Sequence, residues 1–261
     1  MATALITGAS SGIGESFAYA LARQNYGLVL VARRQDRLQA VAAKAKQIGA
    51  ARTEIVASDL GRSGAPLELQ ARLAAVPIEV DYLINNAGFG TTGRFDRLPL
   101  AREINEIELN VTALVALTRL FLPPMIERGH GTIINVASTA AFQPLPYMAT
   151  YAATKAFVLN FTEAIAAETA GTGVRVMALC PGPVRTEFQA VAKNENALMP
   201  SFVYLDADTV VKQALTAVAH GRRVRINGMM NAAGAVAARL LPRALVTAIA
   251  GRIYRNAGMA G

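Results

Sequence analysis

Residues 4–14 read ALITGASSGIG, an apolar run that passes through a glycine-rich turn into a segment of helical period. Glycine adopts backbone conformations that other residues avoid, so Gly8, Gly12 and Gly14 permit a tight turn directly after a strand. The unpaired amides at the start of the following helix attract anionic groups. The stretch therefore predicts a strand, a turn and a helix that cradle a phosphate, with an ordinary strand–helix turn as the alternative interpretation.

The same alternation continues along the chain, where short apolar runs are separated by longer segments of helical period. This pattern is typical of an α/β fold with a doubly wound parallel sheet, and near-continuous apolar runs suit strands that are covered on both faces. We predict about seven strands in a single domain. The strands are expected near residues 2–7, 27–32, 53–57, 80–85, 131–137, 174–180 and 223–227, and the helices near 12–24, 34–48, 66–75, 101–128, 150–170 and 206–219.

Composition limits the classes of protein to consider. The chain has 261 residues, of which 53% are apolar, but no run approaches the ~20 uninterrupted apolar residues of a membrane span. The first predicted strand begins almost at once, which leaves no room for a signal peptide, and Cys180 is the only cysteine, so we expect a cytoplasmic location. Two histidines cannot supply a His-rich site, and no metal is expected.

The net charge of +8 is concentrated at the C-terminus, because residues 221–261 hold seven arginines and neither lysine nor acid. The basic character therefore belongs to one end of the chain, and no nucleic-acid partner is expected. We predict a main domain over residues 1–227 and an apolar, arginine-rich tail over residues 228–261.

Within this tail, residues 243–255 place Leu245, Ile249 and Ile253 on one stripe of a predicted helix. Two interpretations stay open. The helix packs on the domain or on a sister subunit, or it makes a weak contact with an anionic membrane surface.

Tyr151 and Lys155 stand four residues apart in YAATK and so lie on one helical face. A nearby ammonium favours the phenolate and lowers the tyrosine pKa from its ordinary value near ~10. Ser138 ends the apolar run GTIINVAS, at the carboxyl edge of a strand, where ligands bind in open α/β sheets. These residues predict a proton donor, and beside it a hydroxyl that stabilises negative charge developing on a carbonyl oxygen.

Six motifs in this order resemble the short-chain dehydrogenase/reductase family from residue 2 to about residue 190. They are TGASSGIG (7–14), NNAG (85–88), Asn110 within IELNVTAL, Ser138, Tyr151-x-x-x-Lys155 and PGPVRTEF (181–188). The resemblance implies a Rossmann-type fold and hydride transfer between a nicotinamide cofactor and a carbonyl or alcohol. It also implies that Asn110 positions a water linking Lys155 to solvent, and that subunits form a homodimer or homotetramer through the helices at 101–128 and 150–170.

Arg33 and Arg34 end the second predicted strand, where NAD enzymes commonly carry an acid for the ribose 2′-hydroxyl. A guanidinium binds a 2′-phosphate through paired hydrogen bonds, whereas an acid would repel it. With hydroxyls from Ser10 and Ser11 in the first turn, the pattern predicts NADP. A solvated helix start is the alternative interpretation of the two arginines.

Further cofactor contacts are implied by the resemblance. Asp59 meets the adenine amino group, with a loop or helix cap as the alternative, and Lys155 binds the nicotinamide ribose. The backbone of Asn86, Ala87 and Gly88 runs along the adenine ribose, and the segment with Pro181, Gly182, Val184 and Thr186 closes on the nicotinamide carboxamide. The predicted cofactor residues also include Gly8, Gly12, Ile13, Gly14, Leu60 and Tyr151.

The substrate pocket is expected to be apolar, and the resemblance implies a mobile lid over it at residues 183–205. Its predicted lining is Phe89, Phe142, Pro144, Tyr147 and Phe188. The sequence thus predicts reduction of a ketone or aldehyde to an alcohol by NADPH, or the reverse, on a largely apolar substrate. The alternative is an NADP-binding redox sensor without turnover. Such a sensor is expected to lack Ser138, Tyr151 or Lys155, and all three are present.

Overall fold

The computed structural model describes residues 2–76, 78–188, 192 and 204–256, and within them seven parallel strands form one sheet. Apolar side chains fill both of its faces, which explains the near-continuous apolar runs. The predicted α/β class and strand number are confirmed. The strands are β1 (Thr3–Thr7), β2 (Gly27–Ala32), β3 (Arg52–Ala57), β4 (Tyr82–Asn85), β5 (Gly131–Val136), β6 (Val174–Cys180) and β7 (Val224–Ile226).

Helices cover both faces of this sheet. On one side the core includes Phe17, Leu38 and Val210, and on the other it includes Leu69, Leu117 and Phe121. The α-helices are α1 (Gly12–Ala22), α2 (Gln35–Ile48), α3 (Ala65–Ala74), α4 (Leu100–Ile107), α5 (Leu114–Arg128), α6 (Ala149–Glu168), α7 (Ala207–Ala219), α8 (Met229–Leu240) and α9 (Arg243–Asn256).

The strand order is β3-β2-β1-β4-β5-β6-β7. The chain moves outward from β1 to β3, returns to the other side of β1, and then moves outward from β4 to β7. Its direction therefore reverses between β1 and β4. In a doubly wound sheet this reversal opens a crevice at the carboxyl ends of the strands, which is the usual place for a ligand.

The continuous α-helix predicted over 101–128 is wrong. A π-helix over Glu108–Ala113 separates α4 from α5, and it contains Asn110. The Asn110 side chain makes two hydrogen bonds with the backbone of Phe89, one donated by Nδ2 (2.9 Å) and one accepted from the Phe89 amide (3.1 Å). A wide turn of this kind is frequent at functional sites, and here it contains the residue that holds the loop after β4.

The helical stretch Leu100–Arg128 is long and apolar enough to cross a membrane, judged by length and composition alone. In the fold, however, Leu117, Phe121 and Met125 are buried against the sheet. The buried face of this stretch therefore belongs to the core of the domain.

The tail folds back onto the main domain. Val246 and Ala250 on α9 are buried, and Tyr254 packs in the same apolar cluster as Tyr151. Gly251 lies so close to Pro146 that an added Cβ would stand 3.4 Å from the proline ring. One face of the tail therefore packs on the domain, as one of the two sequence interpretations expected.

The predicted lid over 183–205 is described only at its two ends, and its middle lies outside the described residues. The two ends are joined by a parallel bridge between Val184 and Leu205. The Arg185 amide donates to the Leu205 carbonyl (3.2 Å), and the Leu205 amide donates to the Pro183 carbonyl (3.1 Å). The two described ends of the segment therefore lie side by side.

Candidate active site

A cavity of about 1050 Å³ opens at the carboxyl edge of the sheet. One end lies at Arg33 and Arg34 after β2, and the other lies against the tail helices. Ser138, Tyr151 and Lys155 line the cavity together. The residues that the sequence predicts for cofactor and chemistry therefore share one space.

The glycine-rich turn forms one wall of this cavity. Gly8 and Gly12 have φ angles of 65° and 59°, in the left-handed region that favours glycine. Gly8, Ser10, Ser11, Gly12 and Ile13 all line the cavity. Ser11 is the N-cap of α1, but its side chain makes no hydrogen bond to the first turn. The first backbone amides of α1 therefore stay available to an anion.

Gly14 has a different role from the one predicted. It does not line the cavity, and an added Cβ would stand 2.3 Å from the Gly8 carbonyl oxygen and 2.6 Å from Asn86 Nδ2. The residue lets α1 pack against the turn and against β4. Gly14 therefore shapes the cradle through backbone packing.

Arg34 reaches back across the crevice to the glycine-rich turn. Its Nη2 donates to the hydroxyls of Ser10 (3.2 Å) and Ser11 (3.1 Å). The same nitrogen forms an ion pair with Glu187 at 2.8 Å, and Arg37 pairs with the other carboxylate oxygen. The Arg34 contact holds the pKa of Glu187 below its usual value. Sequence reasoning missed this acid, which lies in the matched segment 181–188.

The ends of β3 and β4 form the opposite wall. Asp59, Leu60, Asn86, Ala87 and Gly88 all line the cavity, as predicted. Asp59 is exposed, and its carboxylate accepts a hydrogen bond from the Gly61 amide (3.1 Å), a local loop contact of the kind that the alternative interpretation expected. Asn86 Nδ2 donates to the carbonyl of Thr7 (2.9 Å), which ties β4 to the glycine-rich turn.

The segment after β6 closes the cavity from above. Pro181, Gly182, Val184 and Thr186 all line it. Thr186 approaches the glycine-rich turn, with its Cγ2 only 3.0 Å from the point where a Cβ on Gly12 would lie. This contact leaves no room for a side chain at Gly12.

Ser138, Tyr151 and Lys155 come from two neighbouring elements, the end of β5 and the first turns of α6. All three are buried. The Ser138 side chain lies close enough to the Tyr151 phenol to act on its pKa, and the Ser138 oxygen accepts a hydrogen bond from the Ala140 amide (3.1 Å). Lys155 Nζ donates to the Val136 carbonyl at 2.8 Å and stands 5.8 Å from the centre of the Tyr151 ring.

The expected lowering of the Tyr151 pKa is not found. Burial raises it above the ordinary value, and the Ser138 side chain opposes that rise only in part. Burial also lowers the pKa of Lys155, to about 8, against the opposing field of Glu106. Low dielectric disfavours both charged forms, so Tyr151 is a neutral phenol and holds its proton at neutral pH.

Asn110 lies beneath the cavity and not on its surface. Its Nδ2 also contacts the Thr154 hydroxyl (3.1 Å), one residue before Lys155. A Cβ added to Gly88 would stand 2.8 Å from Asn110 Oδ1 and 3.4 Å from Lys155 Nζ. The structure therefore brings Asn110 and Lys155 to one place, and the water-positioning role stays a prediction.

A pair of buried carboxyl groups, which sequence reasoning missed, lies beside this site. Glu103 and Glu106 on α4 both lie within hydrogen-bond distance of the Thr91 hydroxyl. One hydroxyl has one proton, so one of the two carboxyl groups must supply its own. Burial, with a smaller contribution from the neighbouring Glu103, raises the pKa of Glu106 to about 7. The sequence signal was two acids three residues apart, on one face of the predicted helix.

The structure places three of the five residues predicted for the substrate pocket at the wall of the cavity. Phe89, Phe142 and Phe188 line the cavity, but Pro144 and Tyr147 do not. Tyr147 has a φ of 70°, and its carbonyl accepts a hydrogen bond from the Gly93 amide (2.9 Å). This left-handed turn changes which residues face inward, and Leu145 and Met148 line the cavity in their place.

The tail supplies the rest of the substrate end, and sequence reasoning placed none of it there. Arg239 packs its guanidinium 5.0 Å from the centre of the Phe142 ring, which fixes α8 over the pocket. An apolar stripe on a helix signals burial but not the partner it packs against. The tail residues that line the cavity are Met230, Asn231, Gly234, Ala235, Ala250, Ile253 and Tyr254.

Comparison with known proteins adds a family. Residues 2–197 match the family model described as short chain dehydrogenase. The very-long-chain 3-oxoacyl-CoA reductase-B of Danio rerio is 30% identical over 249 residues, which is 93% of this chain and 77% of that protein.

Two solved structures share the fold over nearly the whole chain. A short-chain dehydrogenase from Sphingobium yanoikuyae in complex with NADPH is 35% identical, with a TM-score of 0.83 over 91% of this chain and 92% of that chain. The bulky-bulky ketone specific alcohol dehydrogenase from Comamonas testosteroni is 30% identical, with a TM-score of 0.78 over 92% of both chains.

Proposed function

This chain belongs to the short chain dehydrogenase family, and on that premise we propose that it reduces a ketone or aldehyde to an alcohol with NADPH, on a largely apolar substrate. The observation that carries the proposal is the meeting of Ser138, Tyr151 and Lys155 in one cavity with the glycine-rich turn. The turn suits a dinucleotide, and the three side chains suit a carbonyl. Both are needed for turnover.

The cofactor end fits NADP in its shape and charge. Gly8, Gly12 and Gly88 leave room where side chains would collide with neighbouring atoms. The first amides of α1 suit a pyrophosphate, and the Arg34 guanidinium beside two serine hydroxyls suits a 2′-phosphate. The related dehydrogenase solved with NADPH supports the same choice.

When bound, NADPH supplies the hydride, and the residues of the chain handle the proton and the charge. The neutral Tyr151 phenol gives its proton to the carbonyl oxygen of the substrate. The Ser138 hydroxyl, which lines the cavity together with Tyr151, holds that oxygen and stabilises the negative charge that develops on it. The Lys155 ammonium lies close enough to stabilise the resulting phenolate.

Apolar residues dominate the substrate end of the cavity. Phe142, Leu145, Met148 and Ile253 surround the space beside Tyr151. The two similar proteins named as a very-long-chain 3-oxoacyl-CoA reductase and a bulky-bulky ketone specific alcohol dehydrogenase support a long or bulky apolar carbonyl compound as the substrate class.

The competing function is an NADP-binding redox sensor without turnover. A sensor needs the cofactor end alone. It gives no reason to bury Ser138, Tyr151 and Lys155 side by side, because burying polar groups is unfavourable unless they are used or fully paired. This arrangement favours the reductase.

Assembly and location extend the proposal. Ile104, Ile107 and Phe157 are large apolar residues exposed on α4 and α6, the helices through which the family resemblance implies dimers or tetramers. We propose a homo-oligomer through this surface. The single cysteine, Cys180, is a buried thiol and supports a reducing, cytoplasmic location.

The experiment is a screen of NADPH oxidation, followed at 340 nm, against aldehydes, 2- and 3-ketoacyl esters and steroid ketones, with NADH in parallel. We expect turnover of bulky apolar carbonyl compounds and a preference for NADPH. Oxidation of NADH at an equal or greater rate would contradict the proposed role of Arg34.

Tyr151→Phe tests the chemistry with the best substrate. Loss of the proton donor should lower kcat by about 10²–10⁴-fold, while the NADPH dissociation constant stays within about twofold. The matched control is Tyr204→Phe, which changes another tyrosine of the cavity wall. If Tyr151→Phe keeps most of its rate, Tyr151 is not the acid. If no carbonyl is reduced although NADPH binds, the sensor is favoured.

A further inference from the structure

The two tail helices carry an outer face that nothing in the described chain covers. On α8, Met229, Val236 and Leu240 recur at i, i+7 and i+11, and their exposed fractions are 90%, 55% and 80%. On α9, Leu245 and Ile249 are exposed by 47% and 46%. Contiguous exposed apolar residues on a soluble domain mark an interaction site. We call these five residues the outer tail face.

Positive charge surrounds the outer tail face. Arg239, Arg243, Arg252 and Arg255 are all exposed, and Arg252 lies three residues after Ile249, on the same side of α9. The sequence has no acid from residue 221 to its end. An apolar helical stripe flanked only by arginines is the pattern of helices that lie in a membrane interface.

The same charge argues against a second copy of the chain as the occupant. A symmetric contact between two outer tail faces would set these arginines against each other without a carboxylate from either tail. An anionic surface gains from the same four charges. Charge complementarity therefore selects anionic lipid.

The outer tail face continues into the cavity. Met230 and Ile253 line the cavity, yet their exposed fractions are 62% and 49%. They connect the pocket beside Tyr151 with the apolar surface outside. A molecule dissolved in the lipid could pass from one to the other without crossing a polar barrier.

We propose that the outer tail face binds the surface of an anionic lipid bilayer, with its apolar side chains in the interfacial layer. The opening of the cavity at Met230 and Ile253 then faces the lipid. The attachment stands independently of catalysis. The delivery of an apolar carbonyl compound from the bilayer rests on the proposed reductase function.

Co-sedimentation of the full chain with vesicles tests the attachment. We expect binding to phosphatidylcholine vesicles that contain phosphatidylglycerol, little binding to phosphatidylcholine alone, and weakening by salt. Arg252→Gln with Arg255→Gln should weaken binding about 25-fold, since each arginine near an anionic surface contributes about fivefold. Met229→Ser with Leu240→Ser should also release the protein.

Two control variants match these changes. Leu67→Ser alters a leucine that is 59% exposed on α3, and Arg23→Gln with Arg175→Gln removes two exposed charges at the amino edge of the sheet. Both should bind as the unchanged protein does. Turnover of a water-soluble carbonyl compound should stay unchanged in every variant, which separates this proposal from the reductase.

Equal binding of all variants, or no binding of the unchanged protein, would overturn the proposal. So would a dimer in analytical ultracentrifugation that Met229→Ser with Leu240→Ser dissociates, because a second copy would then be the occupant. Unchanged far-UV circular dichroism of each variant shows that the fold is retained.

Discussion

The two ends of the cavity differ in the parts of the chain that line them. At the cofactor end, the β1–α1 turn and the end of β4 lie so close to neighbouring atoms that a Cβ at Gly8, Gly14 or Gly88 would collide with them. At the substrate end, side chains from the loop before α6 and from α8 and α9 line a wider space, part of which stays exposed. The two ends meet at Ser138, Tyr151 and Lys155.

This difference reflects what each end has to bind. A dinucleotide has a fixed shape, and amides at fixed positions can bind it. The substrate end is bounded by replaceable apolar side chains on helices that lie at the surface. We therefore expect substitutions at the cofactor end to damage folding and binding, and those at the substrate end to change selectivity with little loss of stability.

A pair of glycine substitutions tests this contrast and has the largest expected effect. Gly14→Ala forces a Cβ to within 2.3 Å of the Gly8 carbonyl oxygen, which should lower the free energy of unfolding by about 3 kcal/mol or more and abolish NADPH binding. Gly234→Ala on α8 meets no atom within 4 Å and should raise stability by about 0.5–1 kcal/mol. Urea denaturation measures both, and equal effects would remove the distinction.

Arg34 tests the charge at the cofactor end. Arg34→Gln should weaken NADPH binding by about 10–100-fold, the size of a lost hydrogen bond to a charged group, and leave NADH binding nearly unchanged. Glu187→Gln should strengthen NADPH binding by a few fold, because the carboxylate occupies the Arg34 guanidinium.

Arg37→Gln is the control for this pair, since Arg37 contacts Glu187 but does not line the cavity. Fluorescence titration of both nucleotides gives the affinities. Equal loss for NADPH and NADH in Arg34→Gln would show that the residue does not recognise a 2′-phosphate.

Tyr151 and Lys155, where the two ends of the cavity meet, should determine how the rate of reduction depends on pH. Lys155 is protonated below its pKa of about 8 and loses its charge above it. Because the ammonium stabilises the Tyr151 phenolate, kcat/KM should be level below about pH 8 and fall about tenfold per unit above it. Glu106→Gln should move this fall to lower pH, since Glu106 raises the Lys155 pKa.

Glu127→Gln, an exposed position on α5, should leave the profile where it is. If Glu106→Gln leaves the pH profile unchanged, a group other than Lys155 causes the fall of kcat/KM at high pH.

The cofactor end could be predicted from sequence because its chemistry is local. The turn needs glycines at fixed spacing, and Tyr151 and Lys155 need only one helix to lie on the same face. Gly14 was predicted among the cofactor contacts, whereas the structure packs it against the Gly8 carbonyl oxygen in the same turn and against Asn86, far along the chain.

The substrate end depends on tertiary contacts that no local pattern specifies. The backbone of Tyr147 is left-handed, and as a result Leu145 and Met148 line the cavity where Pro144 and Tyr147 were predicted to line it. Burial of Tyr151 reversed the pKa shift expected from Lys155, because desolvation outweighs a charge four residues away. The sequence also did not show which part of the domain the tail helices pack against.

We propose that Tyr151 donates its proton to a carbonyl held between the two ends of the cavity. A crystal structure of the complex with NADPH and a bulky apolar ketone would show this arrangement. We expect the Tyr151 hydroxyl about 2.6–3.2 Å from the carbonyl oxygen, with the apolar groups of the ketone against α8 and α9. A Tyr151 hydroxyl directed away from the carbonyl, or a ketone bound outside this cavity, would contradict the claim.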